Sequence, residues 1–145
     1  MGYCRRLREA GYTVLELVIV VTIGGLLLAI AFPRTTLVLD RISVRSAAGD
    51  VRATVSSARS IALAGYAGVA VHVDSETGTL QVRRGPETIL SRGIGHAHGV
   101  QIASTRDSMT YDSRGLGRGA ANLSIVIRRR SAAETVFVSR LGRVR

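Results

Sequence analysis

Gly11-Tyr12-Thr13-Val14-Leu15-Glu16 opens an uncharged apolar run from Leu17 to Phe32, which Pro33 closes. The run holds one hydroxyl, Thr22, and two adjacent glycines, Gly24 and Gly25. Tyr12 through Phe32 is 21 residues, which as an α-helix spans roughly 31 Å. A bilayer's hydrocarbon core is about 30 Å thick. Glu16 is the anomaly. A carboxylate costs about 2.5–3.5 kcal/mol near the centre of a membrane helix, so one placed at its edge points to a role and a partner.

Other readings of this stretch meet physical objections. A secretory signal peptide is cut after its apolar run, at small residues. Here the best processing position, Gly11, precedes the run, so cutting there leaves the helix on the mature chain. A lipoprotein needs its cysteine after the run, whereas Cys4 lies before it. An uncleaved membrane anchor accounts for the helix but gives no reason for Glu16.

The 145 residues leave room for one anchor helix and one small domain. The formal charge is +10, of which Arg5, Arg6, Arg8 and Glu9 in the first eleven residues carry +2. All 20 basic residues are arginine. Selection for phosphate-gripping forks would explain that, but an arginine-biased codon usage is the plainer explanation. With Cys4 the only cysteine, the body has no disulfide even in an oxidising compartment. The arginines before the span put its N-terminal end in the cytoplasm and the body outside it.

A short basic leader, Gly11, an aromatic Tyr12, a glutamate four residues on, an uncharged run and Pro33 together resemble the N-terminal signal of type IV pilins and pseudopilins. The resemblance implies cleavage between Gly11 and Tyr12 by a prepilin peptidase on the cytoplasmic face, and N-methylation of Tyr12. It also implies an assembly role for Glu16. In the apolar core of a filament, an unpaired charge is heavily penalised. The Tyr12 amine of a neighbouring subunit would be the natural partner of Glu16. Pairing within the chain, or with the helix N-terminus, is the alternative.

Past Pro33 the helical pattern continues. Val44, Ala48, Val51, Val55, Ala58 and Ala62 form one apolar stripe, with Arg45, Arg52 and Arg59 expected to stay solvated beside it. Pro33 removes a backbone hydrogen bond and should kink or loosen the helix without ending it. Gly65 and Gly68, around Tyr66, read as the stop, giving one helix over roughly 12–64.

The remainder alternates as short strands near 68–73, 79–83, 88–90, 100–102, 109–111, 123–127 and 135–138. Turns fall at 74–78 and at Gly85-Pro86, and Arg128-Arg129-Arg130 joins the last pair. The fold class is therefore α+β: one long N-terminal helix, its first half transmembrane, packed on a small antiparallel β domain. The expected organisation is a cleaved leader at 1–11, a membrane or filament-core helix at 12–33, its amphipathic continuation at 34–66, and a β-rich domain at 67–145.

Tyr111-Asp112-Ser113-Arg114-Gly115, with the closing Leu141-Gly142-Arg143-Val144-Arg145, resembles the GspH/FimT-type minor pseudopilins. Those have an aromatic-x-x-x-Gly turn before the last strand pair and often end near a Gly-Arg. The partners so implied are other pilin or pseudopilin subunits, the prepilin peptidase and the inner membrane. The implied location is a single pass through that membrane with the domain periplasmic, and then a pseudopilus or pilus.

No catalytic constellation stands out, and no enzymatic activity, cofactor or metal is expected. His96 and His98 form an H-x-H with no further ligand near, and read as loop histidines. Asp107 and Asp112 supply too little of a calcium shell. Gly115-Leu116-Gly117-Arg118-Gly119 fails the dinucleotide fingerprint, since position 120 is alanine and strands follow.

Two functions fit: a minor pseudopilin of a type II secretion system, contacting other minor subunits and the exported protein, or a minor type IV pilin binding DNA for uptake. For the second, Arg128, Arg129, Arg130, Arg140, Arg143 and Arg145 are suited to gripping phosphates without reading sequence. In the FimT-like members a Gly-Arg-x-Arg ending is associated with DNA binding, which Gly142-Arg143-Val144-Arg145 matches. A solvated arginine loop is the plainer reading, and the secretion role is slightly preferred.

Overall fold

The computed structural model describes residues 11–65, 68–118 and 122–145, with Pro33 and Arg34 described as backbone only. The expected leader, apart from Gly11, and Tyr66 lie outside the described residues.

One helix, α1 (Val14–Leu63), carries the N-terminal part of the chain and runs through Pro33. Two compact units divide it, residues 1–36 and residues 37–145. In the first unit the helix has no core of its own. Leu17, Ile19, Val21, Leu27, Ile30 and Phe32 are all about half exposed or more, and the segment is apolar enough to cross a membrane, with mean hydropathy 2.7.

In the second unit the predicted stripe is the buried one. Val44, Ala48, Val51, Val55, Ala58 and Ala62 are buried, joined by Ala47 and Thr54. The small side chains let the helix backbone lie close to the sheets. The Thr54 hydroxyl donates to the Asp50 carbonyl at 2.8 Å, so its burial leaves no orphan donor. The helix ends where Gly65 takes φ 98°, a left-handed value that costs glycine little.

Among the described residues eight strands form two antiparallel sheets. β1 (Val69–Asp74), β2 (Thr79–Arg84), β3 (Glu87–Gly93), β5 (Ser108–Tyr111) and β6 (Gly117–Arg118) stand in the order β3-β2-β1-β5-β6. β4 (Gln101–Ser104), β7 (Leu123–Arg129) and β8 (Ala132–Val138) stand in the order β4-β7-β8. A short helix, α2 (Ile94–His98), links β3 to β4.

The period-two pattern decides which faces go inward. Val69, Val71 and Val73 of β1, Leu80 and Val82 of β2, and Leu123, Ile125 and Ile127 of β7 enter one core with the α1 stripe. Burying such a side chain contributes about 1.5–3 kcal/mol relative to leaving it in water. The β1–β2 turn is tied by Asp74, whose carboxylate accepts from the Glu76 and Thr77 amides and the Thr77 hydroxyl. Those bonds, the Thr77 hydroxyl foremost, hold its pKa below the ordinary carboxylate value.

Several local expectations need correction. β3 runs Glu87–Gly93, well past 88–90, because its side chains are exposed on both faces and show no alternation. His96 and His98 lie in α2, not in a loop. The last hairpin is not joined through Arg128-Arg129-Arg130: Arg128 pairs with Ala133 and Arg129 with Ala132, so the turn is Arg130-Ser131. Arg130 takes φ 50° there, the positive value that tight hairpin turns require. Arg52 and Arg59 are half-buried rather than solvated. Arg52 meets Glu134 at 2.6 Å, and the Arg59 Nε donates to the Gly115 carbonyl at 3.1 Å.

Candidate functional site

The N-terminal site is built around Thr13. Its hydroxyl accepts from the Glu16 amide at 3.2 Å, and its carbonyl accepts from the Leu17 amide at 3.2 Å. Thr13 is therefore the helix N-cap. The sequence signal for it is Thr13-Val14-Leu15-Glu16, the spacing of a capping box, which the anchor and family readings of this stretch do not use. Gly11 and Tyr12 lie outside the helix and are exposed, so the Gly11–Tyr12 peptide bond is not locked into a helical ladder.

The Glu16 carboxylate has neither an ion pair nor a side-chain hydrogen bond among the described residues. It stands in the first turn of α1, followed by seventeen uncharged residues. The helix N-terminus favours that charge by about 0.3–1 kcal/mol. That is far short of the several kcal/mol needed to bury a carboxylate in an apolar medium. Chemically, Glu16 is a charge that needs a cation from elsewhere once the helix leaves water.

The six C-terminal arginines do not form one cluster. β8 separates them: Arg128, Arg129 and Arg130 sit at its start, and Arg140, Arg143 and Arg145 follow its end. From Ala133, opposite Arg128, to Phe137, opposite Arg145, the strand puts roughly 13 Å or more between the groups. Within the first group only Arg128 is exposed and unpaired among the described residues. Asp40, 1 % exposed, takes the other two. Arg129 Nε lies 2.9 Å from Asp40 Oδ1, and Arg129 also donates to Ser43 Oγ at 2.9 Å and the His98 carbonyl at 2.6 Å. Arg130 donates to both Asp40 oxygens at 3.1 and 3.2 Å. These two guanidiniums tie the β7–β8 turn to α1.

The second group keeps its guanidiniums free of ion pairs among the described residues. Its backbone is ordered: the Phe137 and Arg145 amides each donate to the other's carbonyl at 2.9 Å. The chain therefore returns along β8, with Val144 opposite Val138. A shallow groove of about 290 Å³ results, where Arg143 and Arg145 flank the exposed Phe137 and Leu141.

The Tyr111–Gly115 turn and the Gly142 turn meet beneath α1. The Asp112 carboxylate accepts from the Leu116 and Arg114 amides, both at 2.9 Å, and those bonds lower its pKa. A Cβ on Gly142, φ 74°, would stand 2.8 Å from the Gly115 carbonyl oxygen and 2.6 Å from Arg59 Nε. Gly142 is thus required by backbone contact as well as by conformation. Tyr111 is fully buried, its hydroxyl has no hydrogen-bond partner among the described residues, and burial pushes its pKa up to about 12.

His98 Nε2 lies 2.7 Å from Asp50 Oδ2, linking α2 to α1, and His96 is exposed. Asp112 is consumed by its turn and Asp107 is exposed. Among the described residues no three His, Cys, Asp or Glu side chains come together as a metal site.

An exposed apolar helix with a capped N-terminus and a lone glutamate, continuing into an α-on-antiparallel-β head, is a pilin-like fold. Residues 6–32 match the family model for the prokaryotic N-terminal methylation motif. The fold is similar to that of the type IV minor pilin FimU from Pseudomonas aeruginosa, solved in two crystal forms. The first aligns with a TM-score of 0.62 at 16% identity, covering 72% of this chain and 88% of that one. The second aligns with a TM-score of 0.58 at 15% identity, covering 70% and 90%. Comparison with curated proteins gives no match. The chain thus carries an N-terminal methylation motif and has a fold similar to that of a type IV minor pilin.

Proposed function

We propose that this protein is a minor pseudopilin of a type II secretion system. A prepilin peptidase cleaves it between Gly11 and Tyr12, and Tyr12 is then N-methylated. The head stands in the periplasm on a single inner-membrane span until the subunit enters a pseudopilus. The observation that carries the assembly role is the Glu16 carboxylate, unpartnered among the described residues at the head of an uncharged helix. In a filament core it pairs with the Tyr12 amine of a neighbour, and the penalty for any other register sets the subunit's axial position. The experiment is Glu16→Ala in cells: cleavage at Gly11 proceeds normally and incorporation into filaments is lost. Normal incorporation overturns the role.

The second reading is a minor pilin that binds DNA during uptake. It draws on Arg140, Arg143 and Arg145, whose guanidiniums are unpaired among the described residues, beside the exposed Phe137. Engagement of Arg129 and Arg130 by Asp40 weakens it and favours the secretion role. Titrating the full chain in detergent with duplex DNA at several salt concentrations separates the two. Micromolar binding that falls steeply with salt, and is lost when Arg140, Arg143 and Arg145 become alanine, selects the DNA reading. Absence of binding at physiological salt retains the secretion role.

A further inference from the structure

The outer edge of β8 lies open from Ala132 to Thr135, beside a groove rich in arginine, while residues 143–145 cover its far end. Phe137's N–H and C=O face away from β7, since both bond to Arg145. The alternation of an antiparallel ladder turns the same groups of Thr135 and Ala133 outward too. Neither residue's outward N–H or C=O has a partner among the described residues. An edge of this kind is a template for an added strand. Alongside it, a groove of about 500 Å³ opens between α1 and β8, lined by Arg41, Val44 and Arg45 on the helix and residues 131–134 on the hairpin.

Charge at the groove is unbalanced. Asp40 is taken by Arg129 and Arg130, and Glu134 by Arg52. Arg41 and Arg45 are exposed and have no ion pair among the described residues. We propose that the β8 edge takes an extended, carboxylate-bearing segment of a different protein as a further strand of the β4-β7-β8 sheet. The added strand would lie about 4.7–4.9 Å from β8. Backbone bonds to Ala133 and Thr135 hold it, and alternate side chains face α1, where carboxylates meet Arg41 and Arg45. A second copy is a poor occupant, because the chain carries +10 and repels itself. This contact is separate from the helix-mediated assembly proposed above.

The test uses the full chain in non-ionic detergent and a blocked seven-residue peptide alternating valine and glutamate. Binding is followed by fluorescence anisotropy, and the edge amides by hydrogen exchange. Micromolar binding is expected, at least tenfold weaker in Arg41→Glu/Arg45→Glu, with the Ala133 and Thr135 amides protected in the complex. N-methylating the alternate peptide amides that face β8 should abolish binding, while methylating the other set leaves it. Glu16→Ala should bind the peptide as the parent chain does, whatever it does to assembly. No binding at millimolar peptide, equal binding by the charge-reversed chain, or unprotected Ala133 and Thr135 amides overturns the proposal. The methylated peptides need no protein variant, so a folding defect cannot obscure the outcome.

Discussion

Replacing Asp40 with alanine should loosen the head without touching its apolar core. The Asp40 side chain is 2 % exposed and receives Arg129 and Arg130, whose side chains are 32 % and 70 % exposed. Breaking a fully buried ion pair by removing one partner costs about 3–5 kcal/mol. Arg130 is mostly in water, so its share falls to about 0–1 kcal/mol. Arg129 retains Ser43 Oγ and the His98 carbonyl, which offset part of its loss. About 2–3 kcal/mol remains for Asp40→Ala. Over a head of about 110 residues, that lowers Tm by roughly 10 °C. The assay is thermal unfolding of the full chain in detergent, followed by circular dichroism in the β region. Arg130→Ala should cost under about 1 kcal/mol. Asp40→Leu/Arg129→Met should recover most of the loss, because it leaves no buried charge unpaired. A Tm shift below about 2 °C for Asp40→Ala, or an equal shift for Arg130→Ala, would refute the assignment of Arg129 as the structural partner.

Gly142→Ala should destabilise by about 2–4 kcal/mol, from positive-φ strain plus the clash with Gly115. Gly85→Ala, at φ 56° but in open space, should cost about 1 kcal/mol, and denaturant titration of both separates clash from strain. Tyr111 ionises at about 12 in the folded chain and near 10 when unfolded. The unfolded state therefore loses its proton first, and stability falls by about 2 kcal/mol as pH rises from 10 to 12. Tyr111→Phe should lack that fall and be neutral or stabilising at pH 7, since the hydroxyl has no partner among the described residues; urea titrations across that range decide it. Asp112→Ala should destabilise through the lost Leu116 and Arg114 amide bonds, and Asp112→Asn should do so less. With its folded pKa lowered, the Asp112 contribution is full at neutral pH and disappears as pH falls through that value, which acid unfolding of wild type against Asp112→Asn will show.

What the order of residues determined by itself is the class of fold. An apolar stretch from Tyr12 to Phe32 about as long as a bilayer is thick, and a stripe from Val44 to Ala62 at helical spacing, need no partner to be read. Strands with one buried face, such as β1 and β7, alternate visibly for the same reason. β3 was legible only in part, since a strand exposed on both faces carries no alternation. The hairpin turn at Arg130-Ser131 was hidden because three consecutive arginines look like a loop, while the ladder accepts two of them.

The fate of the charges was beyond the sequence. Arg128, Arg129 and Arg130 are neighbours in the chain, yet Asp40, about ninety positions away, takes two of them and leaves the third in water. Arg45, Arg52 and Arg59 share one seven-residue spacing but have different surroundings, because Glu134 and the Gly115 carbonyl lie on other elements. Which β8 edge groups remain open, and that Arg41 and Arg45 stand beside them, likewise depends on how helix and hairpin meet. Hydrophobic periodicity is a local property of the chain, whereas a guanidinium's partner is set by contacts between distant segments, and those exist only in the folded structure.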